Sequence, residues 1–126
     1  MVDRYNILIV DDSSIDRMLL SQMVLKGKGC NLSEAQDGFS AIKAIEAKAY
    51  DLILLDLIMP DINGLEVIRH IRSDAKRMDT KILLITSSTD SSQLLATRDP
   101  ATRADGIIIK PYTIAKMLSK IEAILT

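Results

Sequence analysis

Leu52-Ile53-Leu54-Leu55-Asp56-Leu57-Ile58-Met59-Pro60-Asp61-Ile62-Asn63-Gly64 is the stretch that decides the fold. Its first four residues are apolar without alternation, as in a strand covered on both faces. A carboxylate ends that run. Pro60 and Gly64 then punctuate a turn into Leu65, Ile68 and Ile71, which stand at helical spacing. Outward from there, Ile7–Val10, Ile82–Ile85 and Ile107–Ile109 repeat the short apolar form. Cys30–Ala35 mixes apolar and polar residues, as an edge strand does. Between the runs lie helical patterns. Ile15, Met18, Leu19 and Met23 come after Asp and Ser residues able to cap, and predict one core stripe. Ile42, Ile45 and Ala49 predict a second, and Ile114, Met117, Leu118, Ile121, Ile124 and Leu125 a last, continuous one. Ser91 to Thr97 predicts a short helix that Asp99-Pro100 stops.

Strand alternating with helix five times predicts an α/β architecture, a parallel sheet between two helical layers, in one domain spanning residues 1–126. Right-handed crossovers bring the carboxyl ends of all strands to one edge, where such sheets bind ligands.

The bulk numbers agree. A chain of 126 residues with 48% hydrophobic content builds one core without staples. With 16 basic and 17 acidic residues, net charge −1, it has no footprint for nucleic acid. Its one cysteine, Cys30, cannot form an internal disulfide and reads as a half-buried strand residue in a reducing compartment. No apolar run reaches membrane-spanning length and no leader pattern comes after Met1, so a cytoplasmic protein is expected.

The chemistry lies in the residues that end the apolar runs: Asp11 and Asp12 after Val10, Asp56 after Leu55, Thr86 after Ile85, Lys110 after Ile109. Each has a bland reading, as a helix cap, a turn hydroxyl or a surface lysine. All five at one sheet edge have none. Three neighbouring carboxylates repel one another and call for a hard cation; Mg²⁺ suits a site with few carboxylates. A carboxylate beside such an ion can attack phosphorus, while Lys110 and Thr86 hold phosphoryl oxygens. No G-x-x-x-x-G-K-[ST] loop is present, which argues against a nucleotide donor.

Asp11-Asp12, the run from Leu54 to Gly64, Thr86-Ser87 and Lys110-Pro111, in this order, resemble the response-regulator receiver family of two-component signalling, over essentially the whole chain. The resemblance implies a flavodoxin-like, doubly wound five-stranded sheet of order 2-1-3-4-5 within three α/β/α layers. It implies Asp56 as phosphoacceptor. Asp12, Asp56 and the Ile58 carbonyl would be Mg²⁺ ligands, with Asp11 reaching the metal through water. Thr86 and Lys110 would attend the phosphoryl group, and the Lys110–Pro111 peptide would be cis. The donor would be a sensor histidine kinase or histidine phosphotransfer protein. The receiver would be catalytic only in its own phosphorylation and dephosphorylation, and would switch a surface toward a downstream protein or output domain. A phosphorylation-linked homodimer is one further partner the resemblance allows. Met1 reads as a genuine start, and the receiver stands alone or belongs to a longer regulator or hybrid kinase.

The family often has an aromatic residue where this chain has Ile107, whose side chain cannot make the same ring swing. The segment from Thr86 to Lys110 is about two residues longer than in chemotaxis-type members. By the resemblance, Ile58 and Ser88 would occupy places that control water access to the acyl phosphate, and an apolar Ile58 predicts a long-lived one. His70 reads as a solvated helix residue. An alternative reading is a receiver-fold interaction module that works without phosphate. A Mg²⁺-dependent phosphatase or phosphotransferase of the haloacid-dehalogenase-like kind would want D-x-D after the first strand and a cap, and Asp11-Asp12 lacks that spacing.

Overall fold

A computed structural model describes residues 5–27, 30–87 and 91–126. The elements run β1 (Tyr5–Val10), α1 (Ser14–Gly27), β2 (Cys30–Ala35), α2 (Gly38–Ala47), β3 (Leu52–Asp56), α3 (Gly64–Arg72), β4 (Lys81–Thr86), α4 (Ser91–Ala96), β5 (Gly106–Ile109) and α5 (Ile114–Leu125). All strand pairs are parallel and the order is β2-β1-β3-β4-β5. The five strands and the edge position of β2 match the expectation.

The apolar runs lack alternation because both faces are covered. Leu8, Val10, Ile53, Leu55, Ile82 and Leu84 enter one core with Ala41 and Ile45 of α2 and Val67, Ile68 and Ile71 of α3. Their neighbours Ile7, Ile9, Leu52, Leu54, Leu83 and Ile85 enter a second with Leu20 and Val24 of α1 and Met117 and Ile121 of α5. Each successive residue thus changes face, as the pleat dictates. Side-chain caps start the helices: Asp37 accepts from the Ser40 N–H at 2.8 Å, Asn63 from Leu65 at 2.7 Å, and Thr113 from Lys116 at 3.1 Å.

Three expectations need correction. Ile15, Met18 and Leu19 do not face the core; they are 64%, 52% and 44% exposed, whereas Leu20 and Val24 are buried. One residue is about 100° of helix rotation, and α1 carries apolar side chains on both sides of that step. Ala49 lies beyond α2, which ends at Ala47 with Lys48 extended. Ile114 is 41% exposed, so the buried stripe of α5 begins at Met117.

The long segment between β4 and β5 does what its Asp-Pro predicts. After α4, Asp99 caps a 3-10 turn at Pro100–Thr102 by accepting the Ala101 N–H at 3.0 Å. That turn packs against α3, with Thr97 and Thr102 buried beneath it. At the sheet end away from the acidic residues, the guanidinium of Arg72 binds the carbonyls of Arg103, Met78 and Thr80 and the carboxylate of Asp105. Asp105 also takes the Ile82 N–H at 2.8 Å, so α3, β4 and the approach to β5 are clamped together. Among the described residues no helix is long and apolar enough to cross a membrane.

Candidate functional site

β1 lies between β2 and β3, so the crossovers leaving β1 and β3 depart to opposite faces and open a crevice at their carboxyl ends. Val10 pairs with Leu55, which sets the next residues, Asp11 and Asp56, side by side. Asp56 pairs with Ile85, and Thr86 with Ile109, so Thr86 and Lys110 stand on the two adjoining strand ends. The Lys110 N–H donates to the Thr86 carbonyl at 2.9 Å. Asp11, Asp56 and Thr86 are buried and Asp12 is exposed, a gradient from interior to solvent across the cluster.

Asp11, Asp12 and Asp56 can each turn one carboxylate oxygen into a group whose atoms all lie within 4.8 Å of one another. Their local bonds fix two of them. Asp11 Oδ1 accepts the Ser13 N–H at 2.9 Å, and Asp56 Oδ1 accepts the Ile58 N–H at 3.3 Å. Burial pushes the Asp56 carboxyl up to about 6, and the neighbouring Asp11 charge adds to the rise against Lys110 and the Ile58 N–H. Burial also raises Asp11. For Lys110, burial alone favours loss of the proton, but Asp11, Asp56 and Asp16 outweigh it and hold the ammonium charged. One ammonium faces three clustered carboxylates, and the charge left over is what a divalent cation with oxygen ligands would balance. The donor set, all oxygen and only three carboxylates, fits Mg²⁺.

The Lys110 ammonium lies 3.6 Å from Asp11 Oδ2 and 3.4 Å from Asp16 Oδ2. Asp16, in the first turn of α1, reads in the sequence only as part of a capping run; nothing local signals a partner 94 residues away. Tyr112 is a second residue that sequence reasoning misses: half-buried two positions past Lys110, its hydroxyl is raised by burial. The Lys110–Pro111 peptide is cis, as the resemblance implied.

The loop from Leu57 to Asn63 is held at both ends. Gly64 approaches so closely that a Cβ there would stand 2.6 Å from the Asp56 carbonyl oxygen and 2.9 Å from Leu57 Cα. Asp61 accepts the N–H groups of Gly38 and Phe39, the open end of α2. Ile58, between these anchors, is 52% exposed beside the cluster. Ile107 is half-buried against the core that holds Leu84 and Val67. Ser88 falls outside the described residues. His70 is not simply solvated: its Nε2 is 3.5 Å from Glu46 of α2.

A family model described as the response regulator receiver domain matches residues 7–122. Among curated proteins, the response regulator ArlR of Staphylococcus aureus is 34% identical over 119 residues. That match covers 94% of this chain and 51% of the relative, so the chain spans about half the length of the curated relatives it matches. Among solved structures, the chemotaxis response regulator CheY4 of Vibrio cholerae superposes with a TM-score of 0.88 at 26% identity, over 98% of this chain and 100% of that one. The response regulator TrrA of Thermotoga maritima, solved in complex with Mg²⁺-BeF, has a TM-score of 0.83 at 33% identity, over 96% and 99%.

Proposed function

Since this chain belongs to the response regulator receiver domain family of two-component signalling, we propose that it takes a phosphoryl group onto Asp56 from a partner's phosphohistidine. The observation that carries the reading is the placement of Asp56, level with Asp11 and beside Asp12 at one sheet edge, within the field of Lys110.

An Asp56 carboxylate oxygen attacks phosphorus as the P–N bond to the donor imidazole breaks, and the imidazole keeps the bonding pair and takes up a proton. Asp11, Asp12 and Asp56, with the Ile58 carbonyl, would hold Mg²⁺, which supplies charge neutralisation for the phosphoryl oxygens. Lys110 offers a cation to the same oxygens and Thr86, at the end of β4, a hydroxyl. The chain accelerates only its own gain and loss of phosphate. Its changed surface then addresses a downstream protein or output domain in the cytoplasm. Ile15, Met18 and Leu19 leave an apolar strip on α1 beside Asp12, against which a helical phosphodonor packs.

Incubation with acetyl phosphate or phosphoramidate, with and without Mg²⁺, tests this by intact mass. One added phosphoryl group that needs Mg²⁺ and is absent in Asp56→Asn supports the reading; no gain by the folded protein overturns it. Following the same mass after donor removal tests Ile58: an apolar, exposed side chain there orders no attacking water. A lifetime of minutes or longer is therefore expected, and one of seconds would refute that part.

A further inference from the structure

Ser13 caps α1: its hydroxyl accepts the Asp16 N–H at 3.2 Å. In a Ser-x-x-acid capping pair the acid normally reaches back to the backbone N–H of the cap residue. Here that N–H is already taken, because Ser13 donates it to Asp11 Oδ1 at 2.9 Å. The Asp16 carboxylate is therefore released from its local duty, and it turns to the Lys110 ammonium, 3.4 Å away. The same ammonium is 3.6 Å from Asp11. No ion pair within 4.0 Å joins it to Asp56 among the described residues.

Resting on the phosphoacceptor reading above, we infer that Asp16 is a positioning residue that detains Lys110 away from Asp56 and competes with the incoming phosphoryl group for its ammonium. Three features support this. The pair joins the first turn of α1 to the end of β5, across 94 positions of sequence. Asp16 is 44% exposed by side chain, so water can take over its oxygens when the lysine departs, and the contact is reversible. Asp11, the competing partner, is almost wholly buried among the clustered carboxylates, so a cation held there would draw its charge away from Lys110. Asp16 would then be the carboxylate left to hold the lysine. Transfer requires Lys110 to leave Asp16 for a phosphoryl oxygen, and the strength of that grip sets part of the barrier.

The test compares wild type, Asp16→Asn and Asp16→Glu. In the metal-free protein, the ¹⁵N-ammonium or side-chain CεH₂ signal of Lys110 is recorded by NMR. With saturating Mg²⁺ and acetyl phosphate, the rate of phosphoryl gain is read by intact mass at low and high salt. Asp16→Asn is expected to shift the Lys110 signal and to raise the rate about two- to fivefold at low salt, the range of a partly exposed ion pair. High salt narrows the difference, and Asp16→Glu restores wild-type behaviour. A Lys110 signal that does not move, or a rate that stays level or falls, overturns the inference. If wild type itself gains no phosphate, the phosphoacceptor reading fails instead, while the NMR comparison still decides whether Asp16 holds Lys110.

Discussion

The carboxylate of Asp61 lies 3.0 Å from the backbone nitrogen of Gly38, a residue 23 positions earlier, and 2.9 Å from that of Phe39. With Asp37 taking the Ser40 N–H, the open end of α2 is satisfied from two directions, by its own cap and by the loop after β3. The loop beside Asp56 is thereby tied to a helix that carries no part of the acidic cluster. Slight burial would raise the Asp61 carboxyl, but the N–H groups of Phe39 and Gly38 outweigh it and hold it below its ordinary value.

Asp61→Ala should therefore destabilise the fold by about 1 kcal/mol, the usual cost of a lost helix cap, read as a lower urea midpoint. It should also weaken Mg²⁺ binding in a titration, because Ile58 loses its far anchor. Because the folded carboxyl is depressed, its contribution is present at neutral pH and is lost as pH falls through the folded value, so wild type and variant converge in acid. Equal stability at pH 7 would show that the two bonds carry nothing.

Gly64→Ala and Gly106→Ala should differ sharply. A Cβ at Gly64 meets backbone of Asp56 and Leu57, which cannot give way without moving Asp56. A Cβ at Gly106 meets first the Ile124 Cδ1 at 2.9 Å, the far end of a flexible side chain. A loss of about 2–3 kcal/mol is expected for the first and under about 1 kcal/mol for the second, by chemical denaturation. Phosphoryl gain should fall only in the first.

Asp56→Asn should stabilise the metal-free protein at neutral pH. The folded carboxyl is raised from 3.8 to about 6, so the folded chain holds its proton more tightly than the unfolded chain does. Stability is full below the unfolded value, falls as pH rises through the window between the two, and stays reduced above it. Removing the charge restores on the order of 1–2 kcal/mol at pH 7–8, after allowance for partial solvent screening. The gain should vanish near pH 4, and Mg²⁺, which stabilises the carboxylate, should shrink it. Thermal melts at the two pH values, with and without Mg²⁺, check each point.

Ile15→Ser, Met18→Ser and Leu19→Ser together should leave stability within about 0.5 kcal/mol of wild type, since none of the three side chains enters a core. Phosphoryl gain from acetyl phosphate should be unchanged. Transfer from a protein phosphohistidine should slow about tenfold or more, as an apolar docking contact is lost. Equal slowing with both donors would place the effect in the site and not in docking.

The strands are legible in the sequence because burial on both faces leaves a plain mark, an apolar run without alternation, and because the pleat makes no demand on the order of those residues. The acidic cluster is legible for a related reason: in a parallel sheet, the residue after each run falls at the same edge, so Asp11, Asp56, Thr86 and Lys110 announce themselves by position alone. The core face of α1 is not, because Ile15, Met18 and Leu19 have helical spacing as good as that of Leu20 and Val24, and periodicity cannot tell a buried apolar face from an exposed one. Asp16, Asp61 and Tyr112 escape because their partners are chosen by tertiary approach. Asp16 in the first turn of a helix has an adequate local explanation, and only the distance to Lys110 displaces it.

The order of the strands has a consequence for how the chain is made. β1, the first of the five strands to be made, occupies an interior place between β2 and β3. The earliest strand synthesised can acquire only an edge partner until Leu52 and its neighbours emerge to pair with Ile7. β2 touches the rest of the sheet through β1 alone. The segment from β1 through α2 is therefore a two-stranded unit with one apolar flank open, and β3 closes it while delivering Asp56 to the side of Asp11. Pairing of β1 with β3 and the meeting of Asp11 with Asp56 are therefore one event in synthesis.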